Sequence, residues 1–436
     1  MKTKLIGIII CMLLIATAIP VIGHVKNISI IKDNDEINPT NNGEKWMKTF
    51  GGPQSDVGNS VLQTSDGGYI VCGDTLNFGS GGEDIWLIKT DSNGNIIWEK
   101  LFGGDSTDGG NSIQHTRDGG YIIAGKTYSY GVGGSDIWLI KIDADGNKLW
   151  DKTYGGNDFD IAYDVKQTND DGYIIIGVTV SYGAGERDIY LVKTDSDGNQ
   201  LWEKTFGGND YDRGESVQQT PEGGYILAGW TASYGAGEFD FWLIKTDSAG
   251  ELQWDKTFGG TGYDYGHSVL NTDDGGYIIT GETESKGADS FDVWLIKTDS
   301  NGGLQWDKTF GRFGWERGNS IQKTNDGGYI ICGDGPNNIK LDAKLIKTNS
   351  FGEKEWSKYY GGSGSDVALS VKQTNDGGYI LSGFKASGLY HDLWLVKTDS
   401  NGDAPSGKSR DLCRSRLFEL FLDLFPILRK ILLLQR

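Results

Sequence analysis

Seven tryptophans fall at an almost fixed interval along the chain. Trp46, Trp98, Trp150, Trp202, Trp254 and Trp306 are each 52 residues apart, and Trp356 follows after 50. Two other segments keep step with them. One is of the "DGGYI" type, with Tyr69, Tyr121, Tyr173, Tyr225, Tyr277, Tyr329 and Tyr379. The other is of the "D-W-L-I-K" type and begins at Asp84, Asp136, Asp188, Asp240, Asp292, Asp342 and Asp392. A chain with this period must build its core by stacking copies of one supersecondary unit.

Each unit contains four strand signals. In the first, "SVLQT" (60–64) is short, small and polar, "GGYIVCG" (67–73) follows an Asp-Gly-Gly turn, "DIWLIKTD" (84–91) is rich in β-branched and aromatic residues, "NIIWEKLF" (95–102) is the fourth, and none contains proline. The Asn-Gly of "DSNG" joins the third and fourth as a hairpin. A four-stranded sheet cannot bury both faces alone, so it must pack on its neighbours, and four strands per unit of about 50 residues predict a β-propeller. The chain holds 67 glycines and only 7 prolines, which suits many tight turns.

The ends of the array predict how it closes. The repeats begin in mid-unit with a lone fourth strand, "EKWMKTF" (44–50), and finish with three strands that lack one (370–399). The N-terminal strand therefore completes the last blade and leaves no open sheet edge. The fold class is all-β, a seven-bladed propeller of four-stranded blades spanning 44–402. The periodic tryptophans are expected to wedge between blades with their ring N–H groups bonded to backbone.

The glycine-glycine-aromatic strand followed by the "D-W" strand resembles kelch repeats, and "TDSNGNIIW" is similar to the tryptophan-docking motif of quinoprotein propellers. Gly94 and Trp98 keep that motif's spacing, but Asp91 lies one residue nearer the glycine, and seven blades replace the usual eight. The resemblance covers 44–402 and implies a secreted DGGYI-type propeller, kelch-like or quinoprotein-like, without implying an activity.

Outside the repeats, residues 1–23 have the layout of an export signal or N-terminal anchor: Lys2 and Lys4, then an apolar run, then Ala16-Thr17-Ala18. Export to the cell surface or beyond is the expectation. A linker (24–43) precedes the propeller, and a polar linker (403–416) and an amphipathic helical tail (417–436) follow it. The tail suits a membrane surface or a partner. Cys72 and Cys332 occupy equivalent apolar positions in units that are not neighbours, so no structural disulfide is expected. The formal charge of −19 and the lack of a basic patch argue against nucleic acid.

Chemistry-bearing motifs are scarce. Four histidines lie in different units or outside them, and "HExxH", "CxxC" and "GxSxG" are absent. A kelch-type copper site has no ligand cluster here. The repeated "D-W" aspartates read as loop-bonding groups. Asp56, Asp108, Asp160, Asp212, Asp264 and Asp366, with Glu316 in the sixth unit, stand where each first strand begins; a ring of them could take calcium, although loop bonding is the simpler expectation. No other cofactor is expected.

Departures from the repeat concentrate in the last two units. "GRFGWERG" (311–318) brings in Arg312, Trp315, Glu316 and Arg317, and the second-to-third connections there, carrying Asn337, Tyr390 and His391, are two residues shorter. These seven residues are the expected ligand surface, for a protein or carbohydrate, and the shortening is expected to uncover what lies beneath. The favoured function is a secreted or cell-surface binding module. The rivals are a glycoside hydrolase-like or quinone-dependent dehydrogenase-like propeller; a hydrolase would need a second carboxyl opposite Glu316.

Overall fold

The computed structural model describes residues 44–288, 290–312, 314–337 and 340–405. The export segment, the 24–43 linker, most of the polar linker and the C-terminal tail lie outside the described residues.

The described residues hold 28 strands, β1–β28 in chain order, in seven four-stranded antiparallel sheets. Blade 1 is β2 (Asp56–Gln63), β3 (Tyr69–Thr75), β4 (Asp84–Thr90) and β5 (Ile96–Phe102). Blades 2 to 6 repeat it. Blade 7 is β26 (Asp366–Gln373), β27 (Tyr379–Ser387) and β28 (Tyr390–Thr398), and its fourth strand is β1 (Trp46–Phe50), paired antiparallel with Trp46 opposite Lys397 and Phe50 opposite Leu393. The ring closes as its ends require.

Each blade buries both faces against its neighbours. Leu62, Ile70, Cys72, Ile85 and Leu87 of blade 1 pack with Ile113, Tyr121, Ile123 and Trp138 of blade 2. The seam between blades 7 and 1 joins Ile380, Leu393 and Leu395 to Val61, Tyr69 and Val71, with Trp46 between them. Every periodic tryptophan sits on the hairpin glycine of the next blade. A Cβ on Gly94 would lie 2.8 Å from the Trp46 ring, and one on Gly250 would lie 2.7 Å from Trp202. Both glycines have positive φ, 74° and 77°, so the hairpin needs glycine for its backbone as well as for the indole. Trp46 Nε1 donates to Ser92 O at 2.9 Å, the backbone bond expected of all seven, but among the described residues the other six periodic tryptophans make no such bond. Cys72 and Cys332 are buried free thiols.

Two boundaries differ from the sequence reading. The innermost strand starts at Asp56, not Ser60, because "DVGNS" carries a register shift between Gly58 and Ser60. The glycine and polar residues that looked like loop are a bulged strand. In blade 6, β23 (Tyr329–Asn337) and β24 (Lys340–Thr348) are nine residues each, as are β27 and β28, so the shorter connections are extended hairpins rather than trimmed loops.

Antiparallel order puts the fourth-to-first and second-to-third connections on one end of the ring, here the top, and the "DGG" and "DSNG" turns on the other. In every blade the turn carboxylate of "DGG" or its equivalent meets the lysine of "LIK", as in Lys141–Asp118 at 2.9 Å and Lys297–Asp274 at 2.8 Å.

Candidate functional site: the top face of blade 6

The carboxylates that open the inner strands are committed to their own loops. Asp56 is buried and accepts from Thr75 Oγ1, from Gly52 N at 3.0 Å and from Asn77 Nδ2 at 2.6 Å. Asp108, Asp160 and Asp212 each accept a glycine N–H at 2.8 Å and a serine hydroxyl at 2.6–2.7 Å. Asp264 accepts from Gly260 N at 3.0 Å, and Asp366 from Gly362 N at 2.6 Å and Ala386 N at 2.9 Å. They tie the loop on each side of one strand and do not converge on a common ion. Among the described residues no three His, Cys, Asp or Glu side chains form a metal-ligand cluster.

The third strands carry a second device. Trp86, Trp138, Trp242 and Trp294 are buried, and their indole N–H groups donate to a carboxylate 13 residues on, at 3.2, 3.0, 3.0 and 3.0 Å. Tyr190 does the same to Glu203. A residue of the top loop covers the ring: Phe78 lies 5.1 Å from Trp86, Tyr130 5.1 Å from Trp138, and Tyr234 5.3 Å from Trp242, centroid to centroid.

Blade 6 lacks all three parts. Lys344 stands in the tryptophan's place, Ser357 in the carboxylate's, and the extended β23–β24 hairpin brings no aromatic lid. The Lys344 ammonium turns instead to Glu316, the one glutamate in the inner-strand series, and both are buried. Burial pushes the Glu316 carboxyl up and the Lys344 ammonium down, while each partner opposes the other's shift. Where the indole would lie there is a cavity of about 510 Å3, walled by Arg312, Glu316, Asn337, Lys344, Ser357 and Tyr359 among others. Burial, with Glu316 nearby, pushes the Tyr359 hydroxyl up to about 12.

Trp315, next to Glu316 in the chain, is 61% exposed and meets Phe291 edge-on, at 5.5 Å and 76°. From Phe291 a row of half-buried rings crosses the top of blades 5 and 4: Tyr265 at 6.1 Å, then Trp230 at 5.5 Å and Phe239 at 5.4 Å from Tyr265. Arg317 is taken by Asp334 in a forked pair, with Nη2 at 3.0 Å and Nε at 3.1 Å, and is not free to grip a ligand. Tyr390 and His391 lie on the blade 7 hairpin and do not wall the cavity. Tyr390 is exposed, and the His391 ring packs on Phe384 at 4.6 Å.

The structure thus brings Arg312, Glu316 and Asn337 together, sets Trp315 beside them, spends Arg317 on an internal pair and leaves Tyr390 and His391 elsewhere. Lys344 and Ser357 are cavity-lining residues that the repeat's shared features conceal. Their signal is in the chain: "DAKLIK" puts a lysine where every other unit has tryptophan or tyrosine.

Fold and site define a closed seven-bladed β-propeller with one blade opened at its top. No protein-family model matches the chain, and no curated protein matches it. Among solved structures it is similar to the Pan2 WD40 domain of Neurospora crassa, with 10% identity, 80% of this chain and 97% of that one covered, and a TM-score of 0.49. It is also similar to Sqt1 of Chaetomium thermophilum, with 11% identity, coverage of 81% and 97%, and a TM-score of 0.49.

Proposed function

We propose that this propeller is an exported, non-enzymatic binding module that holds a polypeptide partner on the top face of blade 6. The reading is carried by the joint loss of indole, carboxylate and aromatic lid in one blade, which opens a cavity of about 510 Å3 beside an exposed tryptophan. A pocket that takes one large side chain, flanked by an aromatic and an arginine, is the form that an interface hot spot takes. Lys344 is neutralised by Glu316, so Arg312 and Lys354 are the wall cations without an ion-pair partner among the described residues, and an acidic residue beside the partner's anchor suits them. The hydrolase reading is weaker here. Glycosidases use two facing carboxyls, and Glu316 is the single carboxylate among this cavity's walls.

The test restores the repeat. A variant carrying Glu316→Asp, Lys344→Trp and Ser357→Asp fills the cavity with the residues that other blades use. Peptide display against the wild type is expected to enrich an aromatic residue next to Asp or Glu. Affinity should fall about tenfold or more, ~1.4 kcal/mol, in the restored variant and in Trp315→Ala. Peptides that bind both forms equally, or no enriched peptide alongside a positive glycan array, would overturn the proposal.

A further inference from the structure

On the ring axis the seven inner strands wall a cavity of about 150 Å3, to which no other element contributes. The bulge that lengthens each inner strand turns two consecutive residues to this axis. The second of them is Ser60, Ser112, Ser216, Ser268, Ser320 or Ser370 in six blades, and Asp164 in blade 3. The serine stitches neighbouring strands: Val269 N donates to Ser216 Oγ at 3.3 Å, and Val61 N to Ser370 Oγ at 3.4 Å. Asp164 does the same work and more. It accepts from Val217 N at 3.2 Å, Ser112 Oγ at 3.0 Å and Val165 N at 2.9 Å, and it pairs with the Lys166 ammonium at 2.5 Å.

Two residues beyond the serine position the blades carry leucine or glutamine, except for Lys166 in blade 3 and Lys372 in blade 7. Lys372 reaches the same cavity from nearly the opposite side of the ring. Its ammonium has no hydrogen-bond or ion-pair partner among the described residues. Glu215, also on the wall, is held by Arg213 at 2.7 Å, and His267 lies 3.7 Å from Glu282. The axis therefore holds two ammonium groups against Asp164, whose oxygens are already taken by three donors and by Lys166, and Glu215, which Arg213 holds. Burial, then repulsion from Lys166, brings the Lys372 ammonium down to about 8, and Asp164 opposes the shift. The buried "LIK" lysines, by contrast, each have a turn carboxylate.

We propose that Lys372 anchors a binding site on the channel axis for a small oxyanion, a carboxylate or a phosphate. The anion lies between Lys372 and Lys166, and the hydroxyls of Ser320 and Ser370 donate to it. An anion supplies the missing counter-charge, and a hydroxyl that accepts a backbone N–H still has its own proton to give. The space is large enough for several waters, and so for acetate or phosphate.

Isothermal titration calorimetry on the full chain, in a buffer free of both ions, would use acetate and inorganic phosphate as separate probes. One saturable site is expected for at least one of them at pH 7, and the stronger probe identifies the source. Lys372→Gln gives blade 7 the residue that blades 2, 4 and 6 already carry there as Gln114, Gln218 and Gln322, so the fold should accept it. That variant should bind about tenfold or more weakly, and Lys372→Arg should stay within about threefold of wild type. Wild-type affinity should fall from pH 7 to 9 as Lys372 loses its proton; the groups that face it are Lys166, Asp164 and the Cys332 thiol. Binding of neither probe, or wild-type affinity in Lys372→Gln, would overturn the proposal. So would failure of both Lys372→Gln and Lys372→Leu to fold, because the lysine would then be structural.

Discussion

The seam between blades can be measured with a double-mutant cycle on Trp202 and Gly250. Gly250 has φ of +77°, and a Cβ there would stand 2.7 and 2.8 Å from two carbons of the Trp202 ring and 3.0 Å from Lys204 Cγ. Gly250→Ala thus carries two costs: about 1–2 kcal/mol for a left-handed non-glycine residue and about 1–3 kcal/mol for forcing the indole aside. Trp202→Ala removes a ring that also packs edge-on to Tyr225 at 5.9 Å; because the ring is half-buried, its cost belongs near the low end of ~3–5 kcal/mol. In the double variant the indole clash is gone, and of the Gly250→Ala cost the backbone part and the tight approach to Lys204 Cγ remain. The pair should therefore be less destabilised than the sum of the singles by about 1–3 kcal/mol. Urea unfolding followed by far-UV circular dichroism would give the three differences. Additivity within about 0.5 kcal/mol would refute the claim that glycine and tryptophan are two halves of one contact.

Deleting residues 44–50 removes β1, bares the edge of β28 and takes Trp46 from its seam; light scattering should report aggregation, and a monodisperse protein with an unchanged melting curve would contradict ring closure. Lys344→Met should lower stability by about 3–5 kcal/mol because it strands the Glu316 charge, and adding Glu316→Gln should restore most of the loss in a thermal melt. In the bottom turns, the Thr64 hydroxyl and then Lys89 hold the Asp66 carboxyl at about 2, and Lys297 and then Thr272 do so for Asp274. Their folded values lie below the unfolded value of roughly 3.9. The stabilisation is therefore complete above that value and lost as the pH falls from about 4 to 2. Thr64→Val should flatten this part of the melting-temperature profile, and an unaltered profile would count against the turn as its source.

The opened blade shows where legibility ended. Trp315 and Glu316 stand out in "GRFGWERG" as departures from a local pattern, and a local departure needs no coordinates to be noticed. That Arg317 is consumed by Asp334 does need them, since the two meet across β22 (Arg317–Lys323) and β23. The same holds for Lys344. Its lysine is visible in the chain, but its meeting with Glu316 depends on a side chain reaching the residue that precedes β22, a strand β24 does not pair with. Tyr390 and His391 mark the opposite failure: a matching change of loop length in blades 6 and 7 suggested one surface, but the extended blade 7 hairpin keeps them outside the cavity's walls.

By itself the sequence determined the number of blades, the order of strands within each, and the N-terminal closure. These follow from hydrophobic alternation and turn chemistry repeated over short stretches, and from the offset between the first strand and the last set. Only the tertiary structure decided what meets on the axis and on the top face. Lys166 and Lys372 are 206 positions apart in the chain, and the curvature of a ring, which no local pattern encodes, points them at one small space.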